Sequence, residues 1–72
     1  MSKIFSTGTI TRINKETLEV HLEDNNVILA LIYNPKKLYK QEYIEVGYKV
    51  YFLYDTITRE ILRLDVIKKS VL

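Results

Sequence analysis

The chain has 72 residues, 47 % of them hydrophobic, with 11 basic and 9 acidic side chains, a net charge of +2 and no cysteine. That length makes one domain over residues 1–72, and a domain so small buries only about 60 % of its unfolded surface, so it needs a tight core. The composition excludes disulfides and thiolate metal sites and argues against disorder. No apolar run approaches the roughly 20 residues of a membrane helix, so the expectation is a cytoplasmic protein with no membrane contact.

Five strands follow in order. "IFSTGTITRI" (Ile4 to Ile13) is rich in strand-forming residues and carries Gly8 inside it, as at a barrel corner. "NKET" is a turn. "LEVHLE" (Leu18 to Glu23) alternates with period 2, the pattern of a half-buried strand. "DNN" reads as a hairpin loop. "VILALIY" (Val27 to Tyr33) is apolar on both faces. Pro35 then suits the first position of one or two helical turns within residues 35–43. Gly47 punctuates, "YKVYFLY" (Tyr48 to Tyr54) is the fourth strand, "DTIT" turns, and "REILRLDVI" (Arg59 to Ile67) is the fifth. The tail "KKSVL" is expected to fray.

Five short strands with one irregular insertion after the third predict an all-β, five-stranded OB-fold-like barrel, in which closure removes exposed edges. An Sm-like barrel is the rival. The register of strand three stays open. A two-residue loop at Asn25-Asn26 sets Leu22 opposite Leu29 and Val20 opposite Leu31, and points Val27, Leu29, Leu31 and Tyr33 inward. A three-residue loop points Ile28, Ala30 and Ile32 inward instead. One residue of slip exchanges the faces, and hydrophobicity cannot choose because both sets are apolar.

No catalytic constellation is present, because the lone His21 and the three serines, Ser2, Ser6 and Ser70, lack the partners that nucleophilic catalysis requires. No cofactor and no metal site is expected: Glu19 and Glu23 flank His21 on one strand face, but nothing else supplies ligands. The basic residues point to phosphate instead. Lys36, Lys37 and Lys40 cluster with Tyr33, Tyr39 and Tyr43, Arg12 and Lys15 lie near the first turn, and Arg59 and Arg63 come late. Lys and Arg neutralise phosphates, and Tyr rings stack on bases.

"GTI" at Gly8 to Ile10, "LEVHLEDNN", "ILALI", the lysines before "YIEVGYKVYFLY" and "REIL" together resemble the bacterial translation initiation factor one family over residues 8 to 64. The chain departs from that family at Asn26 and Arg59, where the family has Gly, at Gly47-Tyr48, where it has Gly-Asp, and at Leu29 and Leu31, where it has Thr and His. The resemblance implies an OB-fold RNA-binding protein that binds the small ribosomal subunit and makes or breaks no bond. Lys36, Lys37 and Lys40 would contact phosphate, Arg12 and Arg63 would support them, and Tyr33 and Tyr51 would stack. The family register puts Ile28, Ala30 and Ile32 in the core and leaves Leu29 and Leu31 outside. Those two leucines then suggest the alternative, a protein-interaction module or homodimer joined through strand three, in a regulatory role. "REILRLDVI" is also similar to Sm-like regulators that bind the transcription terminator Rho.

Overall fold

Alternation along the sequence becomes alternation of burial in the computed structural model, which describes residues 2–69. Strand β1 is Lys3–Ile13, β2 Thr17–Leu22, β3 Ile28–Ile32, β4 Lys49–Asp55 and β5 Ile61–Lys68. Leu18, Val20 and Leu22 of β2 are buried, as are Val50, Phe52 and Tyr54 of β4, while the residues between them face outward. Ile10, Leu31, Ile61 and Leu64 complete the contribution of the strands to the core. Burying each such side chain stabilises the fold by about 1.5–3 kcal/mol. Ser70 to Leu72 of the tail lie outside the described residues.

The strands lie in the order β3-β2-β1-β4-β5, each neighbour antiparallel. A parallel bridge between Ile32 and Glu60 joins the two ends of the sheet, and the Ile32 amide donates to the Arg59 carbonyl at 2.7 Å. The result is an all-β, OB-like barrel. β1 serves both halves, pairing with β4 over Lys3 to Thr9 and with β2 over Gly8 to Ile13. Gly8 sits at the changeover, opposite both Leu22 and Val50. A Cβ there would lie 2.6 Å from the His21 carbonyl oxygen and 2.6 Å from Val20 Cγ1, so only glycine permits the approach. Gly47 has φ 98°, a conformation that side-chain-bearing residues avoid, and its amide donates to the Ile10 carbonyl at 2.8 Å.

The loop between β2 and β3 settles the open register. Residues 23–26 form a four-residue connection closed by the Leu22 amide donating to the Val27 carbonyl at 2.8 Å, with Asn26 at φ 54°. Val20 therefore faces Leu29, and Leu18 faces Leu31. Leu29 and Leu31 point inward, as a two-residue loop would have them, but slid by two residues. Leu31 is wholly buried and Leu29 packs against the core. The expectation that both leucines stand outside is corrected, and Ile28 and Ile32 hold the outer positions, 58 % and 43 % exposed. Paired residues share a face, so the partners Leu18 and Val20 decided what β3 alone could not.

The helical turns expected over residues 35–43 shrink to a single 3-10 turn at Pro35–Lys37. Asn34 caps it through its side-chain oxygen, which accepts from the Lys36 amide at 3.2 Å. Leu38 leaves the turn in extended conformation because it is needed in the core. From there residues 38–46 run as a strap over the barrel. Ile44 packs on the core, and the Glu42 carboxylate accepts from the Val66 amide of β5. No helix of the described residues is long and apolar enough to cross a membrane.

Candidate ligand groove

A groove of about 580 Å³ opens where the β1–β2 turn meets the segment leaving β3. Local hydrogen bonding builds each wall. The Asn14 amide donates to the Thr17 carbonyl at 2.9 Å, and its side-chain nitrogen donates to Thr17 Oγ1 at 3.1 Å, which fixes the turn that carries Lys15 and Glu16. The Tyr33 amide donates to the Glu16 carbonyl at 2.9 Å and ties the two walls together. Ile32, Tyr33 and Pro35 supply apolar surface, and Thr17 and Asn34 supply polar atoms. Lys15 and Lys36 line opposite walls, and neither has an ion-pair partner among the described residues. Burial and, secondarily, the Glu42 carboxylate raise the Tyr33 hydroxyl above the usual phenol range, so it stays protonated and can donate.

The seven residues expected to bind RNA do not gather. Only Tyr33 and Lys36 line the groove. Lys37 lies beside it and reaches Glu60 at 3.9 Å. Lys40 and Arg63 line a separate cleft of about 200 Å³, where Lys40 meets Glu42 at 3.4 Å and Asp65 at 3.8 Å, and Arg63 Nε lies 3.2 Å from Asp65. Arg12 stands on β1 opposite Glu19. Tyr51 stacks on Phe5 across the outer face of β4 and β1, with ring centroids 5.1 Å apart. The RNA reading placed Lys15 only among the basic residues near the first turn and omitted Thr17 and Asn34 from its site. The Asn-Pro pair at 34–35 was the visible signal, since Asn before Pro marks a capped turn. Residues 15–17 are joined to residues 32–36 by the β2–β3 hairpin, which sets Thr17 opposite Ile32, so the register that stayed open in the sequence hid this wall.

His21 sits on the outer side of β2 between Thr9 of β1 and Ile28 of β3. Glu23 is engaged by Lys49 at 2.7 Å. Among the described residues no three His, Cys, Asp or Glu side chains are grouped to hold a metal ion.

Fold and groove together define a small OB-like barrel with an open groove at the end of its β2–β3 hairpin. Among solved structures it is similar to apo-CusF from Escherichia coli, with a TM-score of 0.77 and 17 % identity over 92 % of this chain and 88 % of that one. A copper(II)-bound variant of CusF from Escherichia coli matches with a TM-score of 0.75 and 18 % identity over 93 % of this chain and 94 % of that one. Silver(I)-bound CusF matches with a TM-score of 0.71 and 18 % identity over 93 % of this chain and 100 % of that one. At such identity the likeness is one of fold. No family model matches the sequence, and no curated protein does.

These findings overturn the resemblance to initiation factor one. The structures that superpose on this barrel are CusF chains, and the RNA-binding, ribosomal and translational roles taken from the resemblance fall with it. The physical reason lies in β3, where the alignment required Ile28, Ala30 and Ile32 in the core and the structure places Leu31 there. The alternative of a docking face or homodimer through Leu29 and Leu31 loses its surface for the same reason.

Proposed function

We propose that this chain is a binding barrel that holds a small organic ligand in the groove between the β1–β2 turn and residues 32–36, and that it does no bond chemistry. One observation carries the reading. The groove combines apolar walls with a few polar groups and two cations that have no ion-pair partner among the described residues, the make-up of a small-molecule site. Its location agrees, because OB-folds bind ligands on the strand 2–3 face beside the loop after strand 1.

The ions held by the CusF structures do not carry over on donor chemistry. Silver(I) is soft and favours thiolate and thioether ligands, whereas copper(II) favours a tetragonal set of nitrogen and oxygen donors, and no three His, Cys, Asp or Glu side chains are grouped among the described residues. This chain has no Cys, one Met and one His, and the Met is residue 1, outside the described residues. His21 therefore lacks soft partners, and Glu23 beside it is already neutralised by Lys49.

The test is a titration of isotope-labelled protein with a library of small metabolites, followed by amide chemical shifts. Ligands should move the amides of Lys15 to Thr17 and Ile32 to Lys36 together. Shifts confined to other surfaces, or none, would refute the site.

A further inference from the structure

We infer that the ligand of this groove is a small organic anion with a flat apolar body. The inference rests on the groove being the binding site, and it follows from a contrast between the two clefts. In the smaller cleft both cations are already answered by carboxylates: Lys40 has Glu42 and Asp65, and Arg63 has Asp65. Lys37, next to the groove, has Glu60. The two lysines inside the groove, Lys15 and Lys36, have no ion-pair partner among the described residues, and, unlike Lys3, Arg12, Arg59, Lys68 and Lys69, which also have none, they line a concave surface.

Glu16 is the one carboxylate in the groove wall, so the lining keeps a positive excess. An ammonium in this setting is neutralised at little cost by an incoming anion, whereas a cationic ligand would meet two like charges. The apolar half of the ligand is set by Ile32, 43 % exposed, and by Pro35 and the half-buried ring of Tyr33. A planar body covers such a strip with little loss of its own freedom. The protonated Tyr33 hydroxyl and the Asn34 side chain add hydrogen-bonding groups near the rim.

The probes are naphthoate, its neutral analogue naphthamide, and inorganic phosphate, each titrated into labelled wild-type protein and into a Lys15→Gln/Lys36→Gln variant whose thermal melt is measured alongside. Naphthoate should shift the groove amides and bind more tightly than naphthamide. Each lysine should account for roughly a two- to five-fold difference in affinity, shrinking with added salt. In the variant, naphthoate should fall to the level of naphthamide with an unchanged melt. Naphthamide binding the groove as tightly as naphthoate would overturn the anionic assignment and leave the groove itself standing. Phosphate binding as tightly as naphthoate would overturn the apolar assignment. If none of the probes moves the groove amides, the binding site falls and the inference falls with it.

Discussion

Gly8 shows how one residue type can decide a fold. Its position inside a strand marked it as a corner, and the structure supplies the reason in two 2.6 Å approaches, one to backbone and one to the buried Val20. Because the His21 carbonyl cannot swing away without breaking the β1–β2 ladder, Gly8→Ala should destabilise the barrel by about 1–3 kcal/mol. Urea unfolding would check this, and an unchanged midpoint would mean that the strands separate more easily than their pairing implies. Asp55 offers a second test. It accepts from the amides of Ile57 at 2.8 Å and Thr58 at 3.2 Å, and these hydrogen bonds hold its carboxyl below the usual range. The folded state therefore takes up the proton less readily than the unfolded chain. The stabilisation is complete above the usual carboxylate range, about pH 4, and is lost as pH falls through the lowered value. Thermal midpoints of the wild type should drop on that acid limb. Asp55→Ala should start lower at neutral pH and show a flatter limb. An unaltered limb in the variant would assign the acid sensitivity to other carboxylates.

At the scale of elements, β1, β2, β4 and β5 were legible within a residue or two, because each has a wet face and a dry one and period 2 reports it. β3 was not, because Val27 to Tyr33 carries apolar side chains at both parities. Its register depended on the length of the loop, and four residues formed it where two or three were expected. The strap was misread for a different reason. Lys36 to Tyr43 favours helix locally, but the barrel needs Leu38 and Ile44 on its core and the Glu42 carboxylate on β5. Of the groove, Tyr33 and Lys36 were legible as a tyrosine beside a lysine cluster. The opposite wall at Lys15 to Thr17 was not, since its approach follows from the β2–β3 register, which sets Thr17 opposite Ile32 and stayed open in the sequence. The register yields a direct prediction. Leu31→Ala should cost about 2–5 kcal/mol, whereas Ile28→Ser, on the outer face, should stay within about 0.5 kcal/mol of wild type. Paired denaturation curves would decide, and the opposite ranking would reverse the faces of β3.

For the molecule as a whole, the all-β class and barrel closure were legible from strand count and the single long insertion, while the family resemblance and the RNA partner drawn from it were wrong. Patterns such as Gly-x-x-Val recur because barrels require them, so they report architecture before ancestry. Closure itself rests on a narrow seam. Arg59 adopts φ 64°, and in that conformation its carbonyl accepts the Ile32 amide while its own amide donates to the Asp55 carbonyl at 2.8 Å. A left-handed conformation costs a side-chain-bearing residue about 1–2 kcal/mol. Glycine avoids that cost but loses about 0.5–1 kcal/mol through its freer unfolded chain. Arg59→Gly should therefore raise stability by up to about 1 kcal/mol, read as a higher thermal midpoint. A lower midpoint would show that the arginine side chain contributes to the seam.

The shared role of β1 has a consequence for how the chain is made. Its first half, Lys3 to Ser6, pairs only with residues 52–55, which are synthesised after β2 and β3. Throughout elongation that half, with Ile4 and Phe5 on it, has no strand beside it, while the β1–β2 and β2–β3 ladders can already form. Nascent chains stopped before β4 should thus expose a sticky, unpaired edge and aggregate. Chains that include β4 and β5 should fold in one slow, cooperative step limited by that long-range pairing.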